Sequence, residues 1–190
     1  MVLSTVKWSL DDYHQMIKAG LFVDRPVELL AGELVPMPPE GEPHAFFSRA
    51  AGAYLARILG DGYASADRAF IRPAKPITLP NDSEPEPDIA IVAPLGREYL
   101  RHHPYPENIF WVIEYANSSL EKDSTLKYHI YAEAGIPEYW LVNLKTGELI
   151  IHREPKGREY GSKMTLTTGT ISPLAFPDLT IPVTAIISTE

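Results

Sequence analysis

Glu114 stands in IFWVIEYA, residues 109 to 116, a run so continuously apolar that it predicts a strand buried on both faces at the centre of a sheet. A carboxylate buried there without a partner costs several kcal/mol, so it demands a cation, a metal ion or a proton. Asp88 makes the same demand, because it opens the short apolar strand DIAIV directly behind Pro87. In extended backbone Asp88, Ala90 and Val92 share one face, as do Phe110, Val112 and Glu114 on the other strand. If the two strands are neighbours the carboxylates converge, and a hard divalent cation, Mg²⁺ or Mn²⁺, is the remedy for their repulsion. The plainer readings are a salt bridge for Glu114 and a turn or cap role for Asp88. Lys127 is the third exception: on a helix it shares one face with Leu120, Tyr131 and Ala134, and that face is otherwise apolar. Either its ammonium belongs to the interior, or it pairs with Asp123 at i,i+4 and its tip reaches water.

Two further residues have weaker claims. His44 follows Pro43 in the first turn of a helix, where the helix dipole disfavours imidazolium and leaves the ring as a ligand or hydrogen-bonding partner. Taken alone, a histidine there is more often a capping or surface residue. Glu33 lies on the returning strand of a hairpin, where an exposed face accepts glutamate readily.

The elements that must position these residues follow from pattern and punctuation. Ser9 and Asp12 form a capping box before the helix DYHQMIKAG, stopped at Gly20. VELLAGELVPM predicts two short strands around Ala31-Gly32, and HAFFSRAAGAYLARILG a core-facing helix ending at Gly60. YASADRAFIR, KPITLP and PEPDIAIV predict strands. Ser118 and Glu121 form a second capping box for a helix to about Ala134, stopped by Gly135 and Pro137. EYWLVN and ELIIHRE predict a hairpin around Lys145-Thr146-Gly147, and the tail after Ser162 only short edge strands. The sum is an α/β (α+β) domain with a mixed central sheet flanked by helices.

Composition bounds the function. A chain of 190 residues predicts one domain, residues 1 to 190, and the lack of cysteine excludes disulfides, thiolate zinc sites and a cysteine nucleophile. No apolar run approaches the ~20 residues of a membrane helix, and the N-terminus lacks a secretory signal, so a cytoplasmic location is expected. The net charge of -8 repels a polyanion unless charge is segregated. Part of the excess is local, in NDSEPEPD, residues 81 to 88. The candidates for a phosphate-facing rim are Arg68, Arg72 and Lys75, and Arg153, Lys156, Arg158 and Lys163.

Pro87-Asp88, then Glu114, then Lys127 resembles the acid, acid, lysine constellation of the PD-(D/E)xK nuclease superfamily. Further, VELLAGELVPM, EPHAFFSRAAGAYL, EPEPDIAIV, WVIEYANSS and DSTLKYHIYAEAGIPEYWLVN, in this order, resemble the Uma2 family of restriction-endonuclease-like proteins over roughly Val27 to Val183. The resemblance implies a restriction-endonuclease-like fold, metal-binding carboxylates at Asp88 and Glu114, and an active-site lysine at Lys127. It matches Glu33 to the acidic residue of the family's N-terminal hairpin and His44 to the histidine opening its next helix. Ala116 stands two residues after Glu114, where the superfamily commonly has lysine, so Lys127 must reach the site from its helix. YANSSL also departs from the Val-Leu-Ser-Pro-like stretch common in the family, which bears on loop shape. The implied activity is a metal-dependent endonuclease acting on phosphodiester bonds of nucleic acid, DNA foremost. Asp88, Glu114 and the Tyr115 carbonyl would hold Mg²⁺ or Mn²⁺, with a homodimer as the expected assembly. Two alternatives stay open: a non-catalytic nucleic-acid-binding or dimerisation module on the same fold, and a small phosphodiester hydrolase.

Overall fold

The computed structural model describes residues 6–60, 67–116 and 122–187. Its centre is a six-stranded sheet in the order β3 (Phe70–Pro73), β4 (Ile89–Val92), β5 (Ile109–Ala116), β6 (Glu138–Asn143), β7 (Glu148–Lys156) and β8 (Glu159–Leu166). β5 and β6 are parallel and every other neighbouring pair is antiparallel, so the sheet is mixed as expected. The apolar run of β5 does lie centrally, and seven of its eight residues are buried, Phe110 being half-buried.

Helices cover both faces. α2 (Glu42–Leu59) packs on one, with the short α4 (Thr184–Ile187), over a core that includes Leu55, Ile89, Trp111, Ile113, Trp140 and Ile186. The other carries α3 (Lys122–Glu133) and the hairpin of β1 (Val27–Leu30) and β2 (Glu33–Pro36), over Leu30, Ala90, Val112, Ile130 and Tyr139. A parallel pair requires a long crossover, and here α3 is that crossover between β5 and β6. α1 (Leu10–Lys18) starts on the expected capping box of Ser9 and Asp12 and is tied to the hairpin by the Tyr13 hydroxyl, which donates to Val27 O at 2.9 Å.

Several expectations are corrected. KPITLP is not a strand: its backbone is drawn into a loop in which Leu79 forms an isolated bridge with Ser83, and Thr78 N donates to Pro104 O. The strand expected over YASADRAFIR is confined, among described residues, to Phe70–Pro73. Beyond β7, the chain forms the long edge strand β8, because Gly157 at φ 60° closes a hairpin that the sequence did not mark; β9 (Thr170–Ile171) and β10 (Ile181–Pro182) are the short strands expected in the tail. The capping box of Ser118 and Glu121 lies outside the described residues.

The hairpin that faces the site is held from outside. Ala31 and Gly32 turn it with φ of 48° and 77°. Gly32 N donates to Asp82 O at 2.8 Å, and Ala31 N to the fully buried Ser83 Oγ at 2.8 Å. Ser83→Ala should therefore leave the Ala31 amide unpaired and cost about 1–3 kcal/mol, measured by urea unfolding.

Candidate active site

The antiparallel register pairs Ile89 with Ile113 and Ala90 with Val112, so the start of β4 meets the end of β5. Asp88 and Glu114 thereby come to one end of the sheet and lock to one another through the backbone. Asp88 N donates to Glu114 Oε2 at 3.4 Å, and Tyr115 N donates to Asp88 Oδ2 at 2.6 Å. In an extended strand a residue's carbonyl leaves the same edge as its amide, so the Tyr115 carbonyl faces the Asp88 side.

α3 supplies the cation. One turn apart on its buried face, Lys127 and Tyr131 both reach Glu114 Oε1, the ammonium at 3.1 Å and the hydroxyl, as donor, at 2.6 Å. The inward reading of Lys127 is the observed one. Its Nζ is also 3.2 Å from Glu28 Oε2, on β1, and Glu28 in turn accepts from Glu86 N at 3.1 Å. From the opposite side of the sheet, the first turn of α2 brings His44 Nε2 to 2.8 Å from Asp88 Oδ1. Glu33 is not brought here: it is exposed, and its carboxylate pairs with Lys7 at 2.8 Å. The acid that the hairpin brings to the site is Glu28: it shares a face with Leu30 and Glu33, but it lies at the open end of the hairpin, whereas Glu33 lies beside the turn, next to Lys7.

These groups line a cavity of about 450 Å³. Five carboxylates border it, Glu28, Glu40, Glu86, Asp88 and Glu114, against the cation of Lys127 and the imidazole of His44. Such an excess of negative charge calls for a further cation. The donor set fits a divalent ion in a second respect. Glu40, His44 and Asp88 each place a ligand atom within 4.8 Å of the others. His44 Nε2 is buried, yet despite its proximity to Asp88 it makes no aligned hydrogen bond.

The arginines of the expected phosphate-facing rim find partners within the protein. Arg68 forks onto Asp178 with both bonds at 2.8 Å, and Arg153 onto the buried Glu138 at 2.9 and 2.6 Å. Arg72 lies over the rings of Phe70 and Tyr99, and Arg158 Nε is 3.9 Å from Glu133. Four site residues escape the sequence reading: Glu28, Glu40, Glu86 and Tyr131. Glu28 carried a signal, since it interrupts the apolar VELL as Glu114 interrupts IFWVIEYA; Tyr131 was placed on the apolar face without a role. Nothing in PPEGEP or SEPEPD singles out Glu40 or Glu86.

The family model of Uma2, described as "Putative restriction endonuclease", matches residues 10–184. Among solved structures, the chain is similar to the crystal structure of "a putative nuclease belonging to DUF820" from Anabaena variabilis ATCC 29413, with a TM-score of 0.68. That likeness covers 96% of this chain and 98% of the other at 12% sequence identity, and so speaks for the fold. No curated protein matches.

The charges of the site are set by burial and by one another. Burial raises the Glu114 pKa to about 7, with Lys127 opposing the shift. Burial disfavours the Lys127 ammonium, but Glu114 and Glu28 outweigh it and the pKa is raised, so Lys127 stays charged. The contact with Asp88 raises the His44 pKa against burial, which overrides the expected effect of the helix N-terminus. Burial, reinforced by Glu28, raises Glu86 as well. Because Glu114 binds its proton more tightly folded than unfolded, the folded state holds more protons between the unfolded value of 4.5 and about 7. Metal-free protein should therefore lose stability as pH rises through that window, and Glu114→Gln should flatten the loss; urea unfolding across pH checks both.

Proposed function

This chain belongs to the Uma2 family, and on that premise we propose that it is a metal-dependent endonuclease that hydrolyses phosphodiester bonds of nucleic acid, DNA foremost. The observation that carries the reading is the convergence of Asp88, Glu114 and Lys127, from two antiparallel strands and a crossover helix, at one end of the sheet beside a cavity. Asp88, Glu114 and the Tyr115 carbonyl would hold Mg²⁺ or Mn²⁺, with His44 and Glu40 as the further donors nearest Asp88. When bound, the ion would supply a Lewis acid for the phosphodiester and would lower the pKa of a bound water.

The chain's own residues do the rest. Lys127, held charged by two carboxylates, cannot accept a proton and instead places positive charge where the phosphoryl oxygens gain negative charge. Tyr131 is kept a neutral phenol by burial and by Glu114, and donates to that carboxylate to hold its orientation. Glu28 fixes the other side of the Lys127 ammonium. Hydrolysis puts the water oxygen on phosphorus, breaks one P–O bond to the sugar and delivers a proton to the departing oxygen. We include in the proposal a single domain, a homodimer, which rests on the nuclease resemblance, and a cytoplasmic location, supported by the lack of any described helix long and apolar enough to cross a membrane.

Cleavage of supercoiled plasmid and of single-stranded DNA in Mg²⁺ or Mn²⁺ tests the reading. Asp88→Asn, Glu114→Gln and Lys127→Ala, each checked for folding by circular dichroism, should each reduce the rate about 100-fold or more. Metal-dependent cutting that survives all three contradicts the assignment, and binding without any turnover marks a non-catalytic module.

A further inference from the structure

The cavity is lined by unlike groups. Besides the carboxylates and Lys127, its lining includes an apolar stretch, Pro36, Met37, Pro38 and Pro39, at the exit of the hairpin. Three prolines in four residues fix φ along this stretch, and Met37 N donates to Pro26 O at 2.9 Å, so the wall is formed before anything binds. Prolines and a polarisable thioether make a surface suited to the face of a flat ring. A volume of about 450 Å³ lies toward the lower end of the ~300–1,000 Å³ of sites for single small ligands.

We propose that the substrate enters this cavity as one unpaired nucleotide, with its phosphate at the Asp88 and Glu114 end and its base against the Pro36 to Pro39 wall. The inference rests on the nuclease reading and narrows its substrate class. Duplex binding is carried by many phosphate contacts with lysine and arginine. Among the described residues that line the cavity, the one such side chain is Lys127, already engaged by Glu28 and Glu114. Arg68 and Arg153, candidates for a wider rim, are committed to Asp178 and Glu138. An unpaired nucleotide places a single phosphate at the carboxylate end, and its base gains affinity by stacking and apolar contact, which need no cation.

Fluorescence anisotropy of labelled oligonucleotides with the full chain in Ca²⁺ reads this directly. A single strand, and a duplex with one bulged nucleotide, should bind about tenfold or more tighter than the blunt duplex. A strand with abasic positions should lose that advantage, as should Met37→Asp, with Met37→Ala as the milder variant should the first fail to fold. A free dinucleotide distinguishes a small diester from a strand: it should bind, but more weakly than the strand. Equal binding of strand and blunt duplex, undiminished binding of the abasic strand, or no binding at all overturns the inference. Strand preference without cleavage in Mn²⁺ leaves the inference and removes the nuclease reading, whereas cleavage of blunt duplex without strand preference does the reverse.

Discussion

A carboxylate in a central, buried strand of a sheet has to be answered by something of opposite charge, and the architecture at this end of the molecule follows from how Glu114 is answered. β5 is buried on both faces because α2 covers one and α3, the helix that joins β5 to β6, lies over the other. That same crossover helix carries Lys127 and Tyr131 one turn apart, and both reach Glu114 Oε1. The element that removes water from Glu114 is thus the element that replaces it. Breaking such a buried pair by removing one partner costs far more than the pair contributes, since the other charge is stranded.

One ammonium does not balance the group. Glu28 shares Lys127, Asp88 is latched to Glu114 through two backbone amides, and Glu86 and Glu40 complete an acidic border. The elevated pKa of Glu114, which burial drives, expresses the same tension: without further positive charge the site holds a proton near neutral pH. On the proposed reading such a site would be preorganised for a cation, because its carboxylates are fixed by the sheet, two helices and a hairpin.

The parts legible in the sequence are those where a residue violates its local pattern. Glu114 in an apolar strand, Asp88 opening another and Lys127 on an apolar helix face are three such violations, and they meet in space. The hairpin, the second helix and the central position of β5 follow from periodicity and turn residues in the same way. What the sequence leaves open depends on tertiary choices. Glu28 and Glu33 share one face of the hairpin, since Leu30 pairs with Glu33; where along the hairpin the rest of the fold packs decides that Glu28, at its open end, stands at the site while Glu33, beside the turn, pairs with Lys7 in solvent. KPITLP has strand-forming residues but its backbone partners lie in a loop, and the arginines of the expected rim find acidic partners distant in sequence, such as Asp178 for Arg68.

The charge of -8 therefore has a local meaning. Its excess of carboxylates at the site is what, on the proposed reading, a divalent cation held by Asp88 and Glu114 together would answer. The most direct measurement is the melting temperature of the protein titrated with Mn²⁺. A site of this kind predicts a saturable rise in the wild type, corresponding to about 2.7 kcal/mol at a Mn²⁺ concentration 100 times the Kd, and its loss in Asp88→Asn. A wild-type melting temperature indifferent to Mn²⁺, or a rise that Asp88→Asn leaves intact, would contradict the account.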